Sequence, residues 1–309
     1  MDFELDAPQN AILDGIDGVL RRHAGGDKRQ LPGDTDYDSA LDDAIAQAGY
    51  RAGESELSPL EAALVVMRVA RTGASIPVAA HILVGPLVLG RPFARPLALL
   101  GERGTPVRFG AVARSGLILE ADRAHLLTLD PAGCRPVRHA WSPATARLSI
   151  VDDEVLDAGC AERFRDWWQV GIAAEAVGLL DGALARTLDH LRSREQFGRP
   201  IGSFQAVQHR LAELSVAHEG ARWLTCEAAW LGAPPLAAAT ACAAAMTAAE
   251  QAVGELHQVS GATGLTNEYG LHRFTFPLVA LRAETGGLGV QHRRVAAARW
   301  SRMPEGAMR

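Results

Sequence analysis

The sequence predicts a mainly helical protein with a small β-rich segment in its middle. Over residues 170–191, 211–231 and 236–256, apolar or small side chains dominate, and the first stretch repeats them at three- and four-residue spacing, which is typical of core-packed helices. Between residues 96 and 156, short apolar runs are bounded by Gly, Pro, Asp or Ser, which is typical of strands. We therefore predict a helical part at 1–95, a reduced β-domain at 96–157 and a helical bundle at 158–309.

The composition is that of an ordinary folded protein, with 48% apolar and 22% charged residues. The formal net charge of −5 gives no electrostatic reason to expect nucleic acid. The four cysteines are widely spaced, so we predict neither a metal site nor a disulfide framework, and a reduced cytoplasmic setting. The N-terminus lacks a signal-peptide pattern and the apolar run at 76–89 is interrupted by Pro, His and Gly, so we expect no export and no membrane span.

Helix and strand signals in the first half place the elements. Amphipathic patterns predict helices near 1–20 and 38–48, separated by a Gly- and Asp-rich loop at 21–37. Ser58-Pro59-Leu60-Glu61 is a strong helix start, because Ser58 can cap the helix and Glu61 can close a capping box. A further apolar helix is expected through His81. The predicted strands are 107–113, 116–120, 125–129 and 146–150.

The chain reverses between the first two long helices of the C-terminal half. Pro200 disfavours a helical residue before it, and Gly198 and Gly202 allow backbone angles that other residues resist. Arg194 offers a permanently charged fork to phosphate oxygens, Gln205 can donate and accept, and the amides that begin the second helix favour an anion. Two interpretations stay open from the residues alone: a pyrophosphate-binding turn and a solvated helix corner.

The reversal, Arg-x-x-Phe-Gly-x-Pro-Ile-x-x-Phe-Gln-x-x-Gln-x-x-Leu-Ala, closely resembles the signature of the FAD-dependent acyl-CoA dehydrogenases. In that family it joins the first two helices of a C-terminal four-helix bundle, behind an N-terminal helical domain and a middle β-domain. A second segment, 258–264, resembles the family's Gln-x-x-Gly-Gly-x-Gly, although a helix C-cap glycine is the alternative interpretation. In the family both segments contact FAD bound mainly by the neighbouring subunit. The residues so implied are Arg194, Gln196, Phe197, Phe204, Gln205, Gln258 and Gly261.

Residues that serve the family's own-subunit site are missing. The β-segment lacks the Thr-Glu-Pro, Gly-Ser-Asp and Trp-Ile-Thr stretches that hold the flavin. At the family's Gly-Glu-Gly-Thr run, Thr285 falls where the glutamate removes the acyl α-proton, and Gly287 falls where the threonine binds flavin. In branches that carry the base on the first bundle helix, the matching residue is Trp168. We therefore predict no catalytic residue in this chain, with Glu284 as the alternative base.

This pattern resembles the shortened, non-catalytic partner of heteromeric acyl-CoA dehydrogenases. The resemblance implies FAD as cofactor, a full-length dehydrogenase subunit as partner, acyl-CoA as substrate and electron-transfer flavoprotein as electron acceptor. A steroid side-chain thioester is one candidate acyl group. The alternatives are a self-sufficient homodimer that uses Glu284 and a flavin-free structural or binding module on the same fold.

Overall fold

The structure is a computed structural model, and it describes residues 4–23, 37–50, 57–138 and 141–300. The loop predicted at 21–37 lies for the most part outside these residues. The helices are α1 (Ala7–His23), α2 (Ser39–Gln47), α3 (Pro59–Ala70), α4 (Gly85–Leu89), α5 (Cys160–Ser193), α6 (Gln205–Trp230), α7 (Pro235–Ser260), α8 (His272–Glu284) and α9 (Leu288–Trp300).

The start of α3 confirms the predicted capping box. The backbone N–H of Glu61 donates to Ser58 Oγ (3.3 Å) and the backbone N–H of Ser58 donates to Glu61 Oε2 (2.7 Å). The apolar helix expected through His81 is a π-helix, Ala80–Val84, that continues into α4. His81 is buried, with its Nδ1 3.0 Å from Asp42 Oδ1, and its Nε2 accepts a hydrogen bond from the backbone N–H of Leu97. This contact joins the N-terminal helices to the sheet.

Six strands follow the N-terminal helices within the described residues: β1 (Leu97–Leu100), β2 (Ser115–Glu120), β3 (Arg123–Leu129), β4 (Arg135–Pro136), β5 (Ala146–Arg147) and β6 (Ile150–Val155). Four of them form a sheet in the spatial order β1-β2-β3-β6. Strands β1 and β2 are parallel, and the other neighbouring pairs are antiparallel. The two-residue strands β4 and β5 form a separate antiparallel pair.

Two of the four strand predictions, 116–120 and 125–129, are confirmed, and 146–150 contains β5 and the first residue of β6. The strand predicted at 107–113 is wrong: this segment is a series of turns with a single bridge from Val107 to Ala146. Phe109 has a left-handed φ of 63°, which interrupts an extended strand, and its backbone N–H donates to Pro143 O, far away in the sequence. The turns carry Arg108 toward the bundle.

The C-terminal half confirms the predicted bundle. Helix α5, 34 residues long, packs against α3, α6, α7 and α8, and it is joined to α6 through the predicted reversal. Helix α7 and the turn after it, Pro235–Leu265, are long and apolar enough to cross a membrane by length and composition alone. In the most apolar part of this stretch, 56% of the residues are buried inside the structure. Helix α7 packs against α5, α6 and α9, so it is the alanine-rich core helix of the bundle.

The sheet shares one hydrophobic core with the helices through Leu97, Leu117 and Ala124, which face α5 and its neighbours. The opposite face of the sheet builds a smaller cluster that includes Ile118 and Leu127. This arrangement fixes the position of the segment between β1 and β2, residues 101–114 (the β1–β2 turn), against the bundle. The domain boundaries at 95/96 and 157/158 stay a prediction.

Candidate functional site

The predicted reversal is a short β-hairpin followed by a single 3-10 turn. Strands β7 (Glu195–Gln196) and β8 (Arg199–Pro200) pair around Phe197 and Gly198, whose φ values of 55° and 76° are those of a type I′ turn. The backbone N–H of Ile201 donates to Arg194 O (2.9 Å), which closes the hairpin at its base. Gly198 uses the backbone freedom that its sequence position suggested, whereas Gly202 has no left-handed φ; an added Cβ at Gly202 would lie 3.2 Å from Leu191 O.

The hairpin presents its side chains to solvent. Phe197 is 93% exposed although it is a large apolar residue at a left-handed φ. Arg194, Gln196 and Gln205 are exposed, and Phe204 is half-buried beneath the guanidinium of Arg199, 4.1 Å from its ring centroid. Within the part of the chain that the structure describes, the side chains of Arg194 and Gln205 make no hydrogen bond or ion pair. Their donors are available to a ligand or a partner.

The other implied flavin contacts lie at the same end of the bundle. Helices α5 and α7 run in the same direction, since each is antiparallel to α6 across a short connection. The Tyr269 hydroxyl donates to Arg186 O (3.2 Å) on α5, which ties the segment after α7 to the end of α5. Gln258 is exposed, and Gly261 has φ 58° and ψ −148° with no atom within 4 Å of an added Cβ. Open backbone of this kind can be approached closely by a ligand.

A separate cleft of about 420 Å³ lies between the β1–β2 turn and the bundle. Its walls include Trp168 from α5 and Glu284, the last residue of α8. Thr285 is buried instead, and its hydroxyl donates to Arg282 O (2.8 Å), so it caps α8 rather than facing the cleft. Trp168 stacks on Phe164, and within the described residues its indole N–H is buried without a hydrogen-bond partner.

Arg108 fills the inner end of this cleft, and no sequence pattern predicted it there. Its Nε donates to Glu284 Oε1 (2.8 Å) and its Nη2 donates to Glu175 Oε2 (3.0 Å), while Nη1 donates to Glu175 Oε1. The two carboxylates more than offset the effect of burial and leave the pKa of Arg108 raised. Burial raises the pKa of Glu284 by more than the guanidinium lowers it. Glu175 stands within an apolar stretch of α5, which signals a buried carboxylate but does not point to Arg108 as its partner.

Comparison with known proteins shows that the chain is similar to acyl-CoA dehydrogenases. The profile described as "Acyl-CoA dehydrogenase, C-terminal domain" matches residues 163–299. The acyl-CoA dehydrogenase IpdE2 of Mycobacterium tuberculosis is 34% identical over 160 residues, which cover 51% of this chain and 49% of that protein. The chain therefore spans about half the length of that relative. FadE28 of the same organism, also an acyl-CoA dehydrogenase, is 26% identical over 93% of this chain and 96% of its own length.

The fold agrees with these matches. One chain in the crystal structure of the ChsE4-ChsE5 complex from Mycobacterium tuberculosis superposes with a TM-score of 0.81 at 22% identity, covering 98% of this chain and 100% of that one. Residues 163–299 therefore match an acyl-CoA dehydrogenase C-terminal domain, and the chain as a whole has the fold of that structure.

Two places in the structure can be tested for their fit to FAD. The end of α5 fits, because the uncapped N-terminus of α6, an unpaired guanidinium at Arg194 and the open backbone at Gly261 are suited to phosphate oxygens. The cleft beside Trp168 does not fit a flavin ring at its inner end, because the Arg108 guanidinium already lies there between two carboxylates. Within the described residues, no group of three or more His, Cys, Asp or Glu side chains could hold a metal ion.

Proposed function

We propose that this chain is the flavin-completing subunit of a heteromeric acyl-CoA dehydrogenase. The observation that carries the proposal is the contrast between the two places. The side chains of Arg194 and Gln205, which would be directed at a neighbour's FAD, are exposed and unpaired within the described residues. In the chain's own cleft, by contrast, the inner end is occupied by Arg108, which pairs with Glu175 and Glu284. In this assignment Arg194, Gln196, Phe197, Phe204, Gln205, Gln258 and Gly261 serve FAD held mainly by the partner.

The proposed division of labour follows from the chemistry of desaturation. When bound, FAD accepts a hydride from the acyl β-carbon. The α-proton must leave to a carboxylate on the opposite face of the acyl chain, and the partner subunit supplies that base. This chain contributes binding: Arg194 offers charge-assisted hydrogen bonds to the pyrophosphate, and the exposed Phe197 extends an apolar contact across the interface.

The substrate and electron acceptor of the proposed complex come from the resemblance. An acyl-CoA, with a steroid side-chain thioester as one candidate, would be desaturated between its α- and β-carbons. Electron-transfer flavoprotein would then reoxidise the flavin. The cytoplasmic location stays a prediction.

Co-expression with a full-length acyl-CoA dehydrogenase subunit tests the proposal. We expect a purified complex with about one FAD for each pair of chains. We expect no flavin absorbance in this chain alone, because Arg108 already occupies the inner end of its own cleft. Two FAD for each pair would show that the chain has a working site of its own. No FAD in the chain or in any complex would instead support the flavin-free binding module.

A self-sufficient homodimer remains the second candidate, because the structure places Glu284 and not Thr285 at the cleft. We expect Glu284→Gln to leave steady-state desaturation by the complex nearly unchanged, because Arg108 already pairs with this carboxylate. Thr285→Ala, the control at the family's base position, should be equally silent. A fall in kcat of a hundredfold or more in Glu284→Gln alone, the size of a general-base contribution, would establish the homodimer mechanism.

A further inference from the structure

Arg108 divides one internal space into two. On its outer side lies the cleft of about 420 Å³, which is open to solvent. On its inner side lies a gap of about 20 Å³, room for about one water, bounded by the segment 77–80 and β1. Arg108, Trp168 and Glu284 form walls of both spaces. The guanidinium is therefore a partition across a cavity that would otherwise run from the surface to the core.

The partition joins three elements that are far apart in sequence. Arg108 lies on the β1–β2 turn, Glu175 is in the middle of α5 and Glu284 ends α8. The side chain of Arg108 is 12% exposed and that of Glu175 is 7% exposed, so water does little to screen the pair. The guanidinium also lies over the ring of Phe109, 5.2 Å from its centroid.

The charges around this position are made for a guanidinium. Both carboxylate oxygens of Glu175 accept parallel hydrogen bonds from Nη1 and Nη2 of the planar guanidinium, and Glu284 accepts a hydrogen bond from Nε. Without Arg108, the largely buried carboxylates of Glu175 and Glu284 would lie close together with no guanidinium to compensate their charge. Removing one partner of such a group leaves an uncompensated charge, which is strongly unfavourable.

We propose that Arg108 acts as a built-in ligand at the inner end of the chain's own cleft: its guanidinium occupies a two-carboxylate site between the β1–β2 turn, α5 and α8. Truncation of this side chain opens that site to a small guanidinium cation from solution. The inference deepens the proposed function, which already uses the Arg108 contacts, and its test measures cation binding by this chain rather than FAD binding by a complex. It identifies the group that keeps the inner end of the cleft from taking another ligand.

The test is chemical rescue of Arg108→Ala in the full chain. We expect the variant to melt several degrees below the wild type and to recover most of that loss in about 10 mM ethylguanidinium, along a saturable binding curve. Ethylurea, which is uncharged but of similar shape, should restore nothing. The wild type should respond to neither compound, since its site is already filled.

Arg103→Ala is the matched control. Arg103 also bonds two carboxylates, Glu120 and Asp153, but these side chains are about one-third exposed. Water can therefore solvate the carboxylates of Glu120 and Asp153 when Arg103 is removed. We expect a small decrease in melting temperature and no recovery in ethylguanidinium. The triple variant Arg108→Ala/Glu175→Gln/Glu284→Gln should also show no recovery, because the charges that bind the cation are gone.

Two outcomes would overturn the proposal if Arg108→Ala folds: a melting temperature equal to that of the wild type, or an equal response to ethylguanidinium and ethylurea. If Arg108→Ala does not fold without a ligand, refolding in ethylguanidinium but not in ethylurea would support the proposal. Aggregation in the presence of either compound would contradict it.

Discussion

Gly178→Ala should lower the free energy of unfolding of the isolated chain by about 3 kcal/mol, the upper end of the cost of overpacking a core. An alanine Cβ at this position of α5 would lie 2.2 Å from Met67 O and 2.8 Å from Ala70 Cβ, both on α3. The nearer atom belongs to the backbone, which cannot move without displacing α3. Urea unfolding followed by far-UV circular dichroism measures the change.

Gly254→Ala on α7 is the control for the same substitution in a helix. No atom lies within 4 Å of an added Cβ there, so the alanine should stabilise the chain by about 0.5–1 kcal/mol through helix propensity alone. If Gly178→Ala were as stable as Gly254→Ala, α3 would not pack against α5 as the structure shows. The N-terminal helices would then have to be placed elsewhere.

Local signals predicted the elements that local physics determines. The Ser58 capping box and the long bundle helices follow from spacing within one or two turns, and the structure has them where the sequence indicates. The prediction of a strand at 107–113 was wrong. Its apolar run is typical of a strand, but the left-handed φ of Phe109 and the bridge from Val107 to Ala146 make the segment a series of turns. That turn depends on contacts with residues distant in sequence.

The same limit applies to the candidate site. The reversal could be found because its residues are adjacent, and Gly198 has the left-handed φ that glycine favours. The Arg108 group could not be found, because its members are separated by 67 and 176 positions and no pattern links them before the chain folds. The sequence places Thr285 at the family's base position. Only the structure shows that the neighbouring Glu284, at the end of α8, lines the cleft.

Arg194→Ala should lower the FAD affinity of the assembled complex about ten- to a hundredfold, because it removes a charge-assisted contact of roughly 1.5–3 kcal/mol with the pyrophosphate. The exposed guanidinium has no ion pair within the described residues, so its loss should leave the fold intact. The apo-complex should melt within about two degrees of the wild type, while the stabilisation produced by added FAD shrinks by mass action. Titration of the apo-complex with FAD, followed by flavin fluorescence, gives the dissociation constant.

Arg192→Ala separates a specific contact from a general loss of positive charge. Arg192 lies two residues earlier in the last turn of α5, its side chain is 73% exposed, and its Nη1 is 3.6 Å from Asp189 Oδ1. Because both variants remove one charge from the same end of the helix, an electrostatic field effect would weaken FAD binding in both, and more so at low salt. A pyrophosphate contact made by Arg194 alone predicts a near wild-type dissociation constant for Arg192→Ala. Undiminished FAD binding in Arg194→Ala, or equal losses in the two variants, would refute the assignment of Arg194 to the partner's flavin.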